Sequence, residues 1–515
     1  MKKFAFTLLP LVLSLLVVAT GCASPGRQGE PAEDPGEAAS SVSGTSAFPD
    51  TSAFPGTPAV SDTGIPADST QGDSSFDASA GQGAATSDAV QSGVAGKVDL
   101  GGKRIEILAM SDSTYPDVSD GAISGGLIED AAAVSRLSAE DALRVVLEIK
   151  RKPGSGSAAT SFVYAATTAF AAGEPSDIYA AGQSAAVKLV LAGVCADLGE
   201  IEPFDMSAQW WASAIFEDLN IGGRRYLATG DLSAGFLASM YTVFCNQTLL
   251  ADLRIGSPLS LVAGGEWTLD RMIETSVSAK TAGGSEIWGF TAGSHAYLDA
   301  FMFASDIRIL EFDDRGSLLL TDAFNGEKMS NLAEKVYGFL NGGSCQVGSS
   351  LIFSGGRSLF TVRPFGRSSD EDFVSEFLPM PKFDVNQQAY VTLLGNDYTL
   401  YAISGSDSGE SVAVLEKLAS EGSQRILPAV FESGVHFKYR EDTAEAEVMA
   451  LVRASVRFDA GIVFADEFVG NTNLIFRSCV SDTAGYKSVA VRFNAVKRAF
   501  EKSVSTVSSN LAVLG

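Results

Sequence analysis

Histidine is nearly missing from this chain: two in 515 residues. That leaves no material for a His-rich metal centre and little for an imidazole general base. Cationic charge is scarce as well, 37 Lys and Arg against 62 Asp and Glu, for a formal net charge of −25. A surface of that sign repels a phosphate backbone, so nucleic acid is excluded as a partner. None of the five cysteines forms a C-x-x-C pair, which removes the zinc and dithiol-redox motifs. There is no G-x-S-x-G elbow, no H-E-x-x-H and no G-x-x-x-x-G-K-[ST] loop. Long apolar runs are absent too, although hydrophobic residues make up 46 % of the chain. The longest, Phe4–Ala19, is broken by Pro10 and falls short of the ~20 residues a membrane helix needs.

That run has the length of a signal-peptide apolar region and follows a positive start, Lys2-Lys3. Ala19-Thr20-Gly21-Cys22 then resembles the bacterial lipobox, with Ala19 where that pattern usually has Leu. The resemblance implies a signal peptide over 1–21 and acylation of Cys22. The mature chain would sit on the outer face of the cell membrane, attached through its lipid alone; firm anchoring takes more than one acyl chain. From 22 to 97 Ser, Ala, Gly, Thr, Pro and Asp dominate, and Thr-Ser-Ala-Phe-Pro occurs twice, at Thr45 and Thr51. Such a composition buries too little apolar surface to offset its ordering entropy and reads as a disordered linker. Its coil reach is roughly 50 Å. The repeated Phe48 and Phe54 read as tether rather than as a binding motif.

Residues 98–515 read as the folded part. Arg104–Ala109 and Arg144–Ile149 have the character of strands, and Ile128–Leu143 between them has helical periodicity. Ser161–Ala172 reads as a helix ended by Gly173, and Asp177–Tyr179 as a short strand. Strands alternating with helices argue for a parallel sheet and an α/β class. A second set follows Tyr241, with a helix over Thr268–Ala279 capped by Thr268, and the chain from Glu410 is mostly amphipathic helix. Cys195, Cys245, Cys345 and Cys479 are expected as small buried residues or one bridge; three full pairings are open. Trp267 and Trp288 open helix and strand patterns and are expected in the core. His295, in a polar loop, and His436, in an amphipathic helix, read as solvated or capping. Asp313-Asp314 and Asp370-Glu371-Asp372 lack the spacing of a calcium loop and read as loop charge.

A series of segments stands above this background, in fixed order: Trp210-Trp211, Asp218–Tyr226, Thr229-Gly-Asp231, Tyr241–Leu250 and Gly265–Arg271. After them come Phe377–Asp384, Tyr390–Tyr398, Ile426–Phe431, Lys438–Asp442 and Arg457-Phe-Asp459. Together they resemble family 1 extracellular solute-binding proteins, in the branch common among clostridia and distantly like maltose-binding protein. The resemblance covers most of 100–465 and stops near Val469; Gln247 stands where the family usually has Lys.

It implies a periplasmic-binding-protein-like type II fold: two α/β lobes joined by hinge strands with a ligand cleft between. Lobe one would hold about 98–240 and 385–435, and lobe two about 243–380 and 436–515. Tyr241–Asn246 and Asp397–Ile403 would cross between them. The implied function is capture of a sugar or oligosaccharide and its delivery to the permease subunits of an ABC importer. The protein would be a monomer with no cofactor, no metal and no catalysis. A sensor or adhesin on the same fold, or a secreted hydrolase, are the alternatives. Sugar sites need aromatic faces and planar polar groups. Candidates where family loops meet the cleft are Asp112, Tyr115, Gln183, Trp210, Trp211, Arg363, Asp397 and Tyr398. Adjacent Trp210 and Trp211 are not expected to face one core together, which leaves one for ligand.

Overall fold

A computed structural model describes residues 98–202, 204–367, 371–405, 409–435 and 443–514. Cys22, the 1–21 and 22–97 segments, His436, Asp370 and Lys438–Asp442 therefore lie outside the described residues.

The chain opens with β1 (Lys103–Met110), α1 (Leu127–Leu143), β2 (Val145–Lys152), α2 (Ala159–Ala172), β3 (Ile178–Ala181) and α3 (Gln183–Leu191). β1 lies between β2 and β3, parallel to both. Strands covered on both faces become continuously apolar, and Ile105 and Ile107 to Met110 are buried accordingly. β2 is the edge strand and alternates instead: Val145 and Leu147 are buried, Val146 and Glu148 exposed. α1 ends with Arg144 in the left-handed region (φ 50°), donating its N–H to Glu140 and Asp141, and α2 ends at Gly173 (φ 79°). β11 (Leu400–Ile403), arriving from far along the chain, pairs antiparallel with β3 and completes the sheet in the order β11-β3-β1-β2.

A second sheet has the order β10-β4-β9-β5-β8. It is built from β4 (Tyr241–Asn246), β5 (Trp288–Ala292), β8 (Cys345–Val347), β9 (Ser358–Pro364) and β10 (Ser375–Pro379). α4 (Leu269–Gly283) packs on β5, its first turn capped by the Thr268 hydroxyl, which accepts from the Arg271 N–H. A hairpin of β6 (Leu310–Phe312) and β7 (Leu318–Leu320) follows; the Asp313 carboxylate accepts from the Arg315 and Ser317 N–H groups inside its turn. α5 (Glu327–Asn341) precedes β8. Trp267 is fully buried against Phe360, whereas Trp288 is half-buried beneath Lys280. All four described cysteines are buried free thiols.

After β11 come α6 (Gly409–Val435), α7 (Ala444–Ala454), α8 (Ala460–Val463), α9 (Ile475–Val480) and α10 (Val489–Ala512). α6 runs along α1, and its far end reaches the second sheet, where Phe431 joins Phe365 and Phe377. Backbone crosses between the sheets at a narrow waist. Ser239–Tyr241 and Leu393–Gly395 pair antiparallel, Tyr241 N–H to Leu393 O at 3.0 Å and Gly395 N–H to Ser239 O at 2.8 Å. On the other side of this second segment, Thr392 N–H donates to Ser455 O and Arg457 N–H to Thr392 O. Besides α6, which packs on both halves, these two crossings are short coil segments: β4 belongs wholly to the second sheet and β11 to the first, a shift of a few residues from the crossing strands expected at Tyr241–Asn246 and Asp397–Ile403.

Candidate functional site

In open α/β sheets, ligands bind beyond the carboxyl ends of the strands. Here that end of the first sheet holds a chamber of about 330 Å³. The loops after β1, β2 and β3 and the segment 396–399 before β11 form one wall, and Val463 and Asp466 the other. The loops approach closely because Met110 inserts its thioether beside glycines: a Cβ on Gly154 would lie 2.6 Å from Met110 Cγ, and one on Gly182 3.0 Å from Met110 Cε.

Asp112 lines the chamber at the end of β1. Its carboxylate accepts from Gly154 N–H (2.8 Å), Ser155 N–H (3.1 Å) and the Ser155 hydroxyl (2.6 Å). Burial acts to raise its pKa, but these donors outweigh it and hold the carboxyl below its ordinary value. Gln183 opens α3 and spans the gap: Nε2 donates to Ile462 O at 2.7 Å, and Oε1 accepts from the Tyr398 hydroxyl at 3.2 Å. Lys188 meets Glu467 at 3.0 Å beside this contact. Asp397 accepts from the Thr114 hydroxyl at 3.3 Å and pairs with Arg367, just past β9, at 3.1 Å. The pair is about half-exposed, which keeps it weak and screened.

Tyr115 stands next to Asp397 and Arg367, half-buried, with its hydroxyl over Gly366, where a Cβ would come within 2.7 Å. Burial raises its pKa most, and Asp397 adds to the rise against Arg367. Tyr241 and Tyr297 form an edge-to-face pair at 5.8 Å. Tyr115 thus places an aromatic ring beside the charged Arg367–Asp397 pair.

Five of the eight residues expected from sequence, Asp112, Tyr115, Gln183, Asp397 and Tyr398, meet at the chamber and its rim. Three do not. Trp210 and Trp211 are both buried, 7 % and 2 % exposed, and both indole N–H groups donate to one carboxylate, Glu416 on α6, at 2.8 and 3.3 Å. A partner able to take two donors lets adjacent indoles share one interior, so the expectation that one of them faces ligand fails. Arg363 lies inside the second sheet, paired with Glu371 at 2.6 Å and stacked 3.9 Å from the Phe244 ring; its charge is spent within the fold. Sequence reasoning missed Arg367, Tyr297, Ile462 and Asp466. The segment Arg457-Phe-Asp459, which leads into α8, was the one signal near Ile462 and Asp466. His295 is exposed, and among the described residues no group of three His, Cys, Asp or Glu is placed to hold a metal ion. No helix among them is long and apolar enough to cross a membrane.

No protein-family model and no curated protein sequence matches the chain. Solved structures do. The cyclic α-maltosyl-1,6-maltose binding protein of Arthrobacter globiformis is 14 % identical with TM-score 0.53, over 80 % of this chain and 100 % of its own. The sugar-binding protein MalE of Xanthomonas citri is 13 % identical with TM-score 0.51, over 79 % and 97 %. The GacH receptor of Streptomyces glaucescens, solved unliganded and with acarbose, is 12 % identical with TM-score 0.50, over 78 % and 99 %. At such identities the likeness is one of fold, and it agrees with the sheets and waist described above: the chain has the periplasmic-binding-protein-like type II fold, two α/β lobes with a cleft between them.

Proposed function

We propose that this protein is the extracytoplasmic solute-binding component of an ABC importer, capturing a sugar or oligosaccharide between its lobes and passing it to membrane permease subunits. The observation that supports the reading is the chamber itself, lined by strand ends of the first sheet and by Val463 and Asp466 from the C-terminal part of the chain. Ligand contacts to both walls favour the closed arrangement and shift the population toward it. Asp112, Gln183, Asp397 and Tyr398 would engage hydroxyls, and Tyr115 with Tyr297 would face a ring. Acylated Cys22, the 1–21 signal and the 22–97 linker would hold a monomer on the outer face of the cell membrane. Lobe boundaries near 240, 385 and 435 belong to this proposal, as does the absence of catalysis by the chain.

A thermal-shift screen of the mature chain against mono- and oligosaccharides, with amino acids and peptides as controls, tests it. A ligand at 100 times its Kd that binds only the folded state adds about 2.7 kcal/mol of stability. A sugar hit weakened by Asp397→Ala and Gln183→Ala supports the reading. A shift from another ligand class alone overturns the sugar assignment, and a sugar hit indifferent to both substitutions moves the site elsewhere.

A further inference from the structure

Three carboxylates face the chamber from three separate segments: Asp112 after β1, Asp397 before β11 and Asp466 after α8. No Lys or Arg lines it. Two cations around it are already matched: Arg367 holds Asp397, and Lys188 holds Glu467. Asp112 receives N–H and O–H bonds from Gly154 and Ser155 without a counter-charge. Asp466 is exposed and enters no ion pair within 4 Å among the described residues. The rest of the lining is neutral and hydrogen-bonding, with Ser113, Thr114, Gln183 and Asn396 prominent.

We propose that the chamber selects a polyhydroxy ligand bearing a protonated amine over neutral and anionic ligands of the same size. This rests on the solute-binding reading and names its substrate class. An ammonium brings three donors and no acceptor, the complement of carboxylates that have spare acceptor sites and no spare donors. A neutral sugar satisfies the same oxygens through hydroxyls but gains nothing from their charge. A uronate or sugar phosphate brings acceptors of like charge against Asp112 and Asp466 and finds no free cation among the lining residues. The volume, about 330 Å³, is at the small end of the range for ligand sites. That favours one or two rings.

Calorimetric titration of the mature full-length chain tests this with three matched panels. These are amino sugars (glucosamine, galactosamine and the chitobiose diamine), the corresponding neutral sugars, and the corresponding uronates. The expected result is an amino sugar bound about tenfold or more tighter than its neutral counterpart, with no uronate binding. Asp466→Asn, at an exposed position that leaves the fold intact, should remove about three- to fivefold of that preference, the worth of one exposed charge contact. It should weaken the neutral sugar less than it weakens the amino sugar. A neutral sugar or uronate bound as tightly as every amino sugar overturns the charge preference while leaving the solute-binding reading standing. Silence from all three panels overturns the charge preference, while the solute-binding reading is decided by the broader thermal-shift screen. An amine preference untouched by Asp466→Asn overturns the assignment to this chamber.

Discussion

Glu416 offers a clean separation of packing from recognition in the Trp210–Trp211 pair. Its carboxylate receives both indole N–H groups and the Asp205 N–H, the last at 2.9 Å. Glu416→Leu would leave all three donors facing an apolar side chain. With the indoles 7 % and 2 % exposed, water cannot replace the lost acceptor without opening the interior. A buried donor left without a partner costs about 1–3 kcal/mol. Three of them, one at the edge, set an expected loss of about 3–5 kcal/mol. Trp210→Phe keeps an aromatic ring and deletes one bond to a charged group, an expected loss of about 2 kcal/mol. Trp211→Phe should cost less, because its 3.3 Å bond is the longer of the two. Urea denaturation read at constant m gives the three values, and titration with the best ligand from the screen gives affinity. The midpoint should fall furthest for Glu416→Leu and least for Trp211→Phe, with Kd unchanged throughout. A Trp210→Phe variant with normal midpoint and a Kd raised tenfold, equivalent to about 1.4 kcal/mol, would refute the placement of these rings inside the fold.

Other expectations follow from single contacts. Arg363→Ala strands Glu371 in the interior and should cost about 3–5 kcal/mol in urea midpoint analysis, with ligand affinity unchanged in the folded fraction. Gly422→Ala places a Cβ 2.2 Å from Asp231 O, so α6 must shift, and thermal unfolding should show a loss of about 1–3 kcal/mol. Burial raises the Asp299 carboxyl to about 6 even though Arg477 holds it. Below the unfolded value near pH 4 the folded and unfolded chains are both protonated there and the contribution is full. It is lost as pH rises through about 6, by about 3 kcal/mol over two units. The stability gap between the native chain and Asp299→Asn should therefore shrink from pH 4 to pH 7 in denaturant titrations; a gap that widens refutes the assignment.

Local signals carried much of the fold. β1, β2 and the helix between them are legible because continuous apolar runs and a 3.6-residue period need nothing beyond the segment itself. Gly173 and Thr268 act as the stops and starts their chemistry suggests. Asp112, Gln183 and Asp397 could be named because each sits at a strand or helix boundary where a type II cleft must lie. Partners across long separations were not legible. Glu416 lies 206 residues from Trp210, and nothing in Trp-Trp announces one carboxylate that takes both. The Gln183–Ile462 bond spans 279 residues and ends on a backbone oxygen, which leaves no side-chain signature at all. Arg363 differs: its partner is eight residues on, and an arginine inside Leu359–Val362's apolar strand followed by Asp-Glu-Asp is a readable hint of an internal ion pair.

The waist constrains how the two halves can travel. Three backbone segments lie abreast, 239–241, 392–395 and 455–457, the central one bonded to both neighbours and tied again by the Thr392 and Ser455 hydroxyls at 2.7 Å. Such an arrangement is a strap, broad in one direction and a single strand thick in the other. It folds easily about the axis across its width and resists shear and twist, which would stretch one flank's bonds while slackening the other's. Such a strap would favour a swing of the halves, like the covers of a book, over a swivel like a ball joint. Such a swing would bring the same edges into the same alignment at each closure.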